Sequence, residues 1–526
     1  MKRTIIVSLA ALLLSAIAPN TGRAQVGSST DIIMGQVLGP EGQPIAGARV
    51  EVTSTETQIK RTRTTGADGR YTIVFPDGGG SYTLQVIAIG YSPIRTSVTR
   101  QSDEDRLVAD VTLGRNVAVL QAVQVRAAPR RGQPTDRPEA GSTERGLNPA
   151  MINRLPVEAG DLNTLATLAP GVIGVASTDS TTASFSVAGQ PTNQNNITLD
   201  GLSFGAGSVP QEAIRGTRVI TNTYDVARGQ FTGGQVATTT RGGTNVSTGA
   251  LNYSLRDPSL EFAPEEETTF SQKYTQNQIS GGFGGPIVRD KLFAFGAASY
   301  TRRTDPLQSL LAADPLALQR IGTSGDSVQR FLGILNRYGL QPTSSLIPDE
   351  RLNNNASALV RFDYNLGESN SLMLRGDWRG STQDASRISA FSVPHSGGNG
   401  RTSGGGAMLT LTSHWSNLIN ELRGYTSRDN RNTEPYLMVP SGRVVVASTL
   451  EDGSSAVSTL QFGVNPSLPQ ESHSRLTEIS DEISKVSSKG THRVKLGGLL
   501  NSENSSTGSF SNALGTYTFN SLADFA

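Results

Sequence analysis

The chain has 526 residues, of which 17% are charged, 36% hydrophobic and 57 are glycine; this is long enough for several domains, suits a turn-rich β protein and excludes a bundle of membrane helices. The formal net charge is +1, so no global field would draw a nucleic acid. Cysteine is absent, which excludes disulfides, thiolate metal sites and a cysteine nucleophile together.

At the N-terminus, Lys2 and Arg3 precede an apolar run from Ile5 to Ala18. That run is shorter than the roughly 20 residues a spanning helix needs. Gly22-Arg23-Ala24 places small residues at −3 and −1 before Gln25. Residues 1–24 therefore read as a secretory signal peptide cleaved near Ala24. No cysteine follows the cleavage site, so a lipoprotein anchor is excluded. No later apolar run reaches spanning length, so a membrane role requires a β-barrel.

Residues 31–113 read as a small β-sandwich. In ARVEVTST, Val50 and Val52 share one face and Arg49, Glu51 and Thr53 the other. Short strands about ten residues apart continue through TTGADGRYTIVF and SYTLQVIAIGYS. The stretch GQVLGPEGQPIAGARVEV with those two segments resembles the carboxypeptidase regulatory-like domain, which implies a seven-stranded sandwich. An enzyme is not expected. The four histidines, His395, His414, His473 and His492, form no His-x-x-His, His-x-x-Glu or His-Glu-x-x-His pattern. There is no phosphate-cradling GxxxxGK[ST] loop. No metal and no cofactor are expected.

Residues 115–147 change character. VAVLQAVQVRA is extended and apolar, and reads either as a last sandwich strand or as a free strand able to join a partner's sheet edge. APRRGQPTDRPEAGSTERG reads as a flexible linker. Residues 148–246 are short, glycine-punctuated segments that suit a small α+β domain. Within it, Ile197 and Leu199 precede Asp200-Gly201, and Leu202 and Phe204 follow. That pattern predicts a two-residue hairpin, with Asp200 and Gly201 at its turn and Asn195 and Asn196 leading into it. The role expected of these four residues is structural.

From 247 to 526 the pattern is repeated hairpins. In ASALVRFDYN, Ala358, Val360, Phe362 and Tyr364 oppose Leu359, Arg361 and Asp363; in SLMLRGDWRG, Leu372, Leu374 and Trp378 oppose Met373, Arg375 and Asp377. Strands of about ten residues, apolar on one side and charged on the other, match transmembrane barrel hairpins. QNQISGGFGG with KLFAFGAASYTRR, GAMLTLTSHW with INELRGYTSR, and LTEISDEISKV with HRVKLGGLLNS repeat the design. Short turns alternate with long polar loops. One loop carries a helix, SGDSVQRFLGILNRYG, with Val328, Phe331, Leu332 and Leu335 on one face, Asp326 capping its start and Gly339 its end. This helix is expected to fold its loop onto the barrel rim.

In this order, the segments resemble a TonB-dependent outer-membrane receptor of the Oar-like branch. NNITLDGLSF, YDVARGQFTGGQVATTTRGGTNVSTGALNYSLRD and SGGFGGPIVRDKLFAFGAASY carry the likeness. The resemblance implies a mainly β chain: a small β-sandwich, an α+β plug domain and the first part of an antiparallel transmembrane β-barrel. It also implies a TonB box that binds the energy-transducing inner-membrane protein by strand addition. Leu120, Gln121, Ala122, Val123, Gln124 and Val125 match that box. A 22-stranded barrel needs several hundred residues, and 247–526 holds about half of one, so the sequence is expected to be a fragment. Its end, NSLADFA, is not a strand with a terminal aromatic. The expected partners are a TonB-type protein, outer-membrane lipid and a ligand that the sequence does not identify, in a Gram-negative-type bacterium. Import is the first expectation. An adhesion, assembly or secretion scaffold using the sandwich as its interaction module is the alternative.

Overall fold

The structure is a computed structural model describing residues 30–76, 80–100, 106–115, 143–147, 160–175, 184–205, 208–222, 232–260, 274–307, 309–341, 350–415, 418–486 and 493–526. The N-terminal unit is a sandwich. β1 (Asp31–Leu38) pairs with β4 (Arg70–Phe75), β7 (Arg106–Val108) and β8 (Val111–Thr112). The facing sheet runs β3 (Lys60–Thr64), β2 (Arg49–Ser54), β5 (Ser81–Ile87), β6 (Ile94–Thr99). Between them lie Val50, Val52, Ile73, Leu84 and Val86, the inward half of each alternating strand.

A central unit follows. β9 (Thr143–Leu147) is one edge of a five-stranded sheet that continues through β14 (Ile214–Asn222) and β15 (Gln235–Thr240) to β12 (Asn196–Leu199) and β13 (Leu202–Ser203). The helix α1 (Leu162–Ala166), capped by Asp161, and the hairpin of β10 (Val172–Val175) and β11 (Ser184–Val187) pack beside it.

The largest sheet is antiparallel and runs β16 (Thr248–Arg256), β17 (Thr275–Val288), β18 (Leu292–Pro306), β19 (Glu350–Leu366), β20 (Asn370–Ser386), β21 (Gly398–Trp415), β22 (Leu418–Pro435), β25 (Gln470–Val486), β26 (Arg493–Ser509). All four expected hairpins are present in it. From β17 on its strands have 14 to 18 residues where ten were expected. The added length lies on the long-loop side, where segments such as Asn353–Asn355 and Ser381–Gln383 are polar on both faces. They lack the apolar contrast that marks a strand in sequence.

The faces of this sheet are inverted relative to a water-soluble protein. Val360 is 44% and Trp378 52% exposed, while Arg361 and Arg375 are each 3% exposed. Outward apolar side chains beside buried charges on the same strands suit a lipid-facing wall. Tyr300 is paired with Ala356, eight residues along β19 from Tyr364. That is about 27 Å of strand, or roughly 20 Å of height at a tilt near 40°. Tyr300 and Tyr364 therefore bracket an apolar stretch somewhat shorter than the roughly 25 Å apolar band of such barrels.

The central unit occupies the inner face. Side chains reaching it come from β16 (Asn252), β17 (Ser280), β18 (Phe295), β19 (Arg361), β20 (Arg375), β21 (Met408), β22 (Tyr425) and β25 (Glu478). Laid flat, eight strands would span roughly 34 Å. A small domain touches all of them only because the sheet curves around it.

Beyond the long-loop end, α2 (Pro315–Arg320), α3 (Gly325–Arg337), the hairpin β23 (Ser441–Thr449)–β24 (Ser455–Phe462), β27 (Thr516–Phe519) and α4 (Leu522–Phe525) build a separate layer. Its core joins Val328, Phe331, Leu335, Val446, Leu460 and Phe525. Two expectations for α3 change here. Its N-cap is Ser324, whose hydroxyl accepts from the Ser327 N–H, and Asp326 lies in the first turn. The helix packs against a hairpin from another loop instead of the barrel rim, because that hairpin supplies the apolar partner its buried face needs. Gly339 follows it at φ +73°, as a left-handed helix stop.

Candidate functional site

The Asp200-Gly201 turn joins β12 and β13, with Leu199 paired to Leu202. Both turn residues have positive φ, +55° and +92°, the signature of the tight primed turn. Leu199, Leu202 and Phe204 anchor the hairpin in the core. Asn195 fixes its approach: Nδ2 donates to the Phe185 carbonyl and Oδ1 accepts from the Gly234 N–H at 3.0 Å. The Asn196 N–H donates to the Gly234 carbonyl at 2.9 Å, which starts the parallel pairing with β15. Gly201 lies against the wall, where a Cβ would sit 3.6 Å from Arg423 Nε.

The turn points Asp200 at the wall. Its Oδ1 accepts from the Thr240 N–H and its Oδ2 from the Thr240 hydroxyl, both at 2.8 Å. Arg375 Nη1 donates to Oδ2 and, at 3.2 Å, to the Leu199 carbonyl. Arg361 Nη1 stands 4.0 Å from Oδ1 and donates to the Thr240 carbonyl at 2.9 Å. All three charged side chains are buried. Burial pushes the Asp200 carboxyl upward, but the Arg375 and Arg361 guanidiniums and the Thr240 bonds outweigh it and hold the group below its ordinary range. This environment favours the ionised form of Asp200.

The two arginines are themselves held by the wall. Arg361 is doubly bonded to Asp363 two residues along β19, and Arg375 lies 3.7 Å from Asp377 on β20. Arg379 extends the line from Asp377 to Asp429. Elsewhere on the inner sheet, Glu478 accepts from the Ser203 N–H, and Glu212 accepts from Ser280 at 2.7 Å. The result is a polar lock between the turn and a charged wall. Sequence reading found Asp200 and Gly201 as a turn but missed Arg361 and Arg375 as their partners. The available signal was that both arginines occupy the inward face of amphipathic strands, where a buried cation requires an anion.

Leu120–Val125 lie outside the described residues. The described histidines are apart from one another. His395, buried beneath the loop layer, bonds the Gln341 carbonyl and accepts from the Gly463 N–H, and burial lowers its pKa. Among the described residues, no group of three His, Asp or Glu side chains could hold a metal ion.

Residues 32–114 match the carboxypeptidase regulatory-like domain family, and 239–359 with 336–526 match the outer membrane beta barrel domain family. No curated protein matches the chain. Among solved structures, it is similar to the outer membrane transporter YddB from Escherichia coli (12% identity over 69% of this chain and 53% of that one, TM-score 0.41). It is also similar to the siderophore receptor PirA from Acinetobacter baumannii (15%, 70% and 54%, TM-score 0.39). A third is the ferric enterobactin receptor PfeA from Pseudomonas aeruginosa (12%, 68% and 48%, TM-score 0.43). The chain spans about half the length of these structures.

Proposed function

Because this chain belongs to the outer membrane β-barrel domain family, we propose that it is an outer-membrane receptor that imports a ligand past a movable inner sheet, the plug, with work supplied by a TonB-type protein. The observation that carries this reading is the lock at Asp200. A plug fixed for good needs only apolar packing, whereas an ionic clamp between one turn and two wall arginines can be opened by a pull and closed again. The proposed docking segment, Leu120–Val125, stands between the sandwich and β9 in the chain. A pull there acts on β9, an edge strand whose one partner among the described residues is β14. Peeling an edge is the easiest way to begin unravelling a sheet.

The adhesive alternative needs the sandwich on the long-loop side. Its contacts with Asp290, Asn365 and Ser369 lie at the short turns instead, the periplasmic end in such barrels. The test is deletion of Leu120–Val125 in the full-length protein, followed by growth and uptake across a panel of iron chelates, glycans and peptides. Loss of uptake for one class supports the reading; unchanged uptake of every substrate that the intact protein imports refutes energised import.

A further inference from the structure

A cavity of about 610 Å³ lies where the three units meet. Its inner end holds Asp200 and Arg361, the lock itself. Its sides are the wall, including Thr410 and Thr412, and its outer side is the sandwich, through Thr55–Ile59, Phe75 and Pro76. The sandwich stands at the short-turn rim by a set of polar contacts. The Lys60 N–H donates to Asp290 Oδ1 at 3.1 Å, Arg61 to Asn365, and Arg63 to Ser369 Oγ at 3.0 Å. Asn245 ties the rim together, donating to the Gln58 carbonyl at 2.8 Å and to Asp290 at 2.7 Å. The apolar part is small: Ile32 and Val74 against Ile419.

We infer that the N-terminal sandwich is a detachable cover that closes the short-turn mouth of the cavity leading to the plug lock. Apart from that small apolar patch, the contacts are hydrogen bonds at a partly wet rim, the kind of contact that exchanges with water at low net cost. The cover adjoins the proposed docking segment in sequence, since its last described residue is Arg115. A pull that loosens β9 on one side of that segment also acts on the sandwich on the other. The cover's purpose rests on the import reading, but the covering itself can be tested without transport.

Residues 1–526 hold no cysteine, so Thr410→Cys, with any cysteine elsewhere in the full-length protein replaced, introduces a single thiol inside the cavity. Among the described residues Thr410 Oγ1 is buried without a hydrogen-bond partner, so its loss breaks no hydrogen bond there. In full-length protein in detergent micelles, a bulky maleimide should label this thiol slowly. Arg61→Ala with Arg63→Ala should speed labelling at least about tenfold, the lower bound for loss of two partly buried charge-assisted bonds. Asn365→Ala with Ser369→Ala, on the wall side, should do the same. A separate Ser448→Cys thiol, buried in the loop layer, must stay protected in both variants, which shows that they remain folded. Labelling that is equally fast in the intact protein, or unchanged by either pair, overturns the cover. If the cover passes this test and deletion of Leu120–Val125 leaves uptake intact, the cover stands and the import reading falls.

Discussion

Asp200 is bonded to Thr240 within its own sheet and to Arg375 across the interface, and this double attachment determines what its removal costs. Asp200→Asn keeps the side chain's shape and an acceptor for Thr240 but leaves two buried guanidiniums short of an anion. Breaking a buried pair in this way costs about 3 kcal/mol, so the plug should become protease-sensitive at a lower temperature while the wall remains intact. The pH dependence follows from the sign of the shift. A carboxyl whose folded pKa is depressed contributes stability above its unfolded pKa, near 4, and loses it as pH falls through the folded value. The difference between wild type and Asp200→Asn should be constant from pH 8 to about 5 and shrink below about 4 in thermal unfolding.

At the scale of the element, the wall strands make the sharpest distinction between lipid and water. Val360 points outward at mid-strand. Val360→Arg should cost about 2–4 kcal/mol in a bilayer and should lower folding yield into lipid vesicles. On a water-facing sheet the same change would stay within about 0.5 kcal/mol. For the helix α3, Ser324→Ala removes the cap and should cost about 1 kcal/mol, read as faster amide exchange at Val328–Phe331. Asp326→Ala should cost only a few tenths, the share of a first-turn carboxylate. The hairpins were legible in sequence because lipid and lumen impose opposite chemistry on alternate residues. Their loop-side halves were not, because both faces there meet water or other loops. The loop-layer hairpin β23–β24 was missed for a related reason: its apolar face is matched by α3 and α4, partners that lie far away in the chain.

For the whole molecule, the order of parts could be read from sequence, but their joints could not. Asp200 lies 161 and 175 residues from its two arginine partners. No local pattern links them, since Arg361-Phe362-Asp363 and Arg375-Gly376-Asp377 each read as self-paired. The sandwich could be recognised as a module, while its seat at the short-turn rim depends on side chains such as Arg63 and Asn245 that look like ordinary surface residues. On the proposed function, force applied ahead of β9 opens the plug while the wall stays in the membrane. The direct test attaches a tether to Leu120→Cys in the full-length protein, with any cysteine outside residues 1–526 replaced, held in a bilayer, and pulls from the short-turn side. The account predicts that the first rupture unravels the central sheet from β9 with every wall strand still in lipid, and that Asp200→Asn lowers the rupture force. Wall strands leaving first, or a force indifferent to Asp200→Asn, would contradict it.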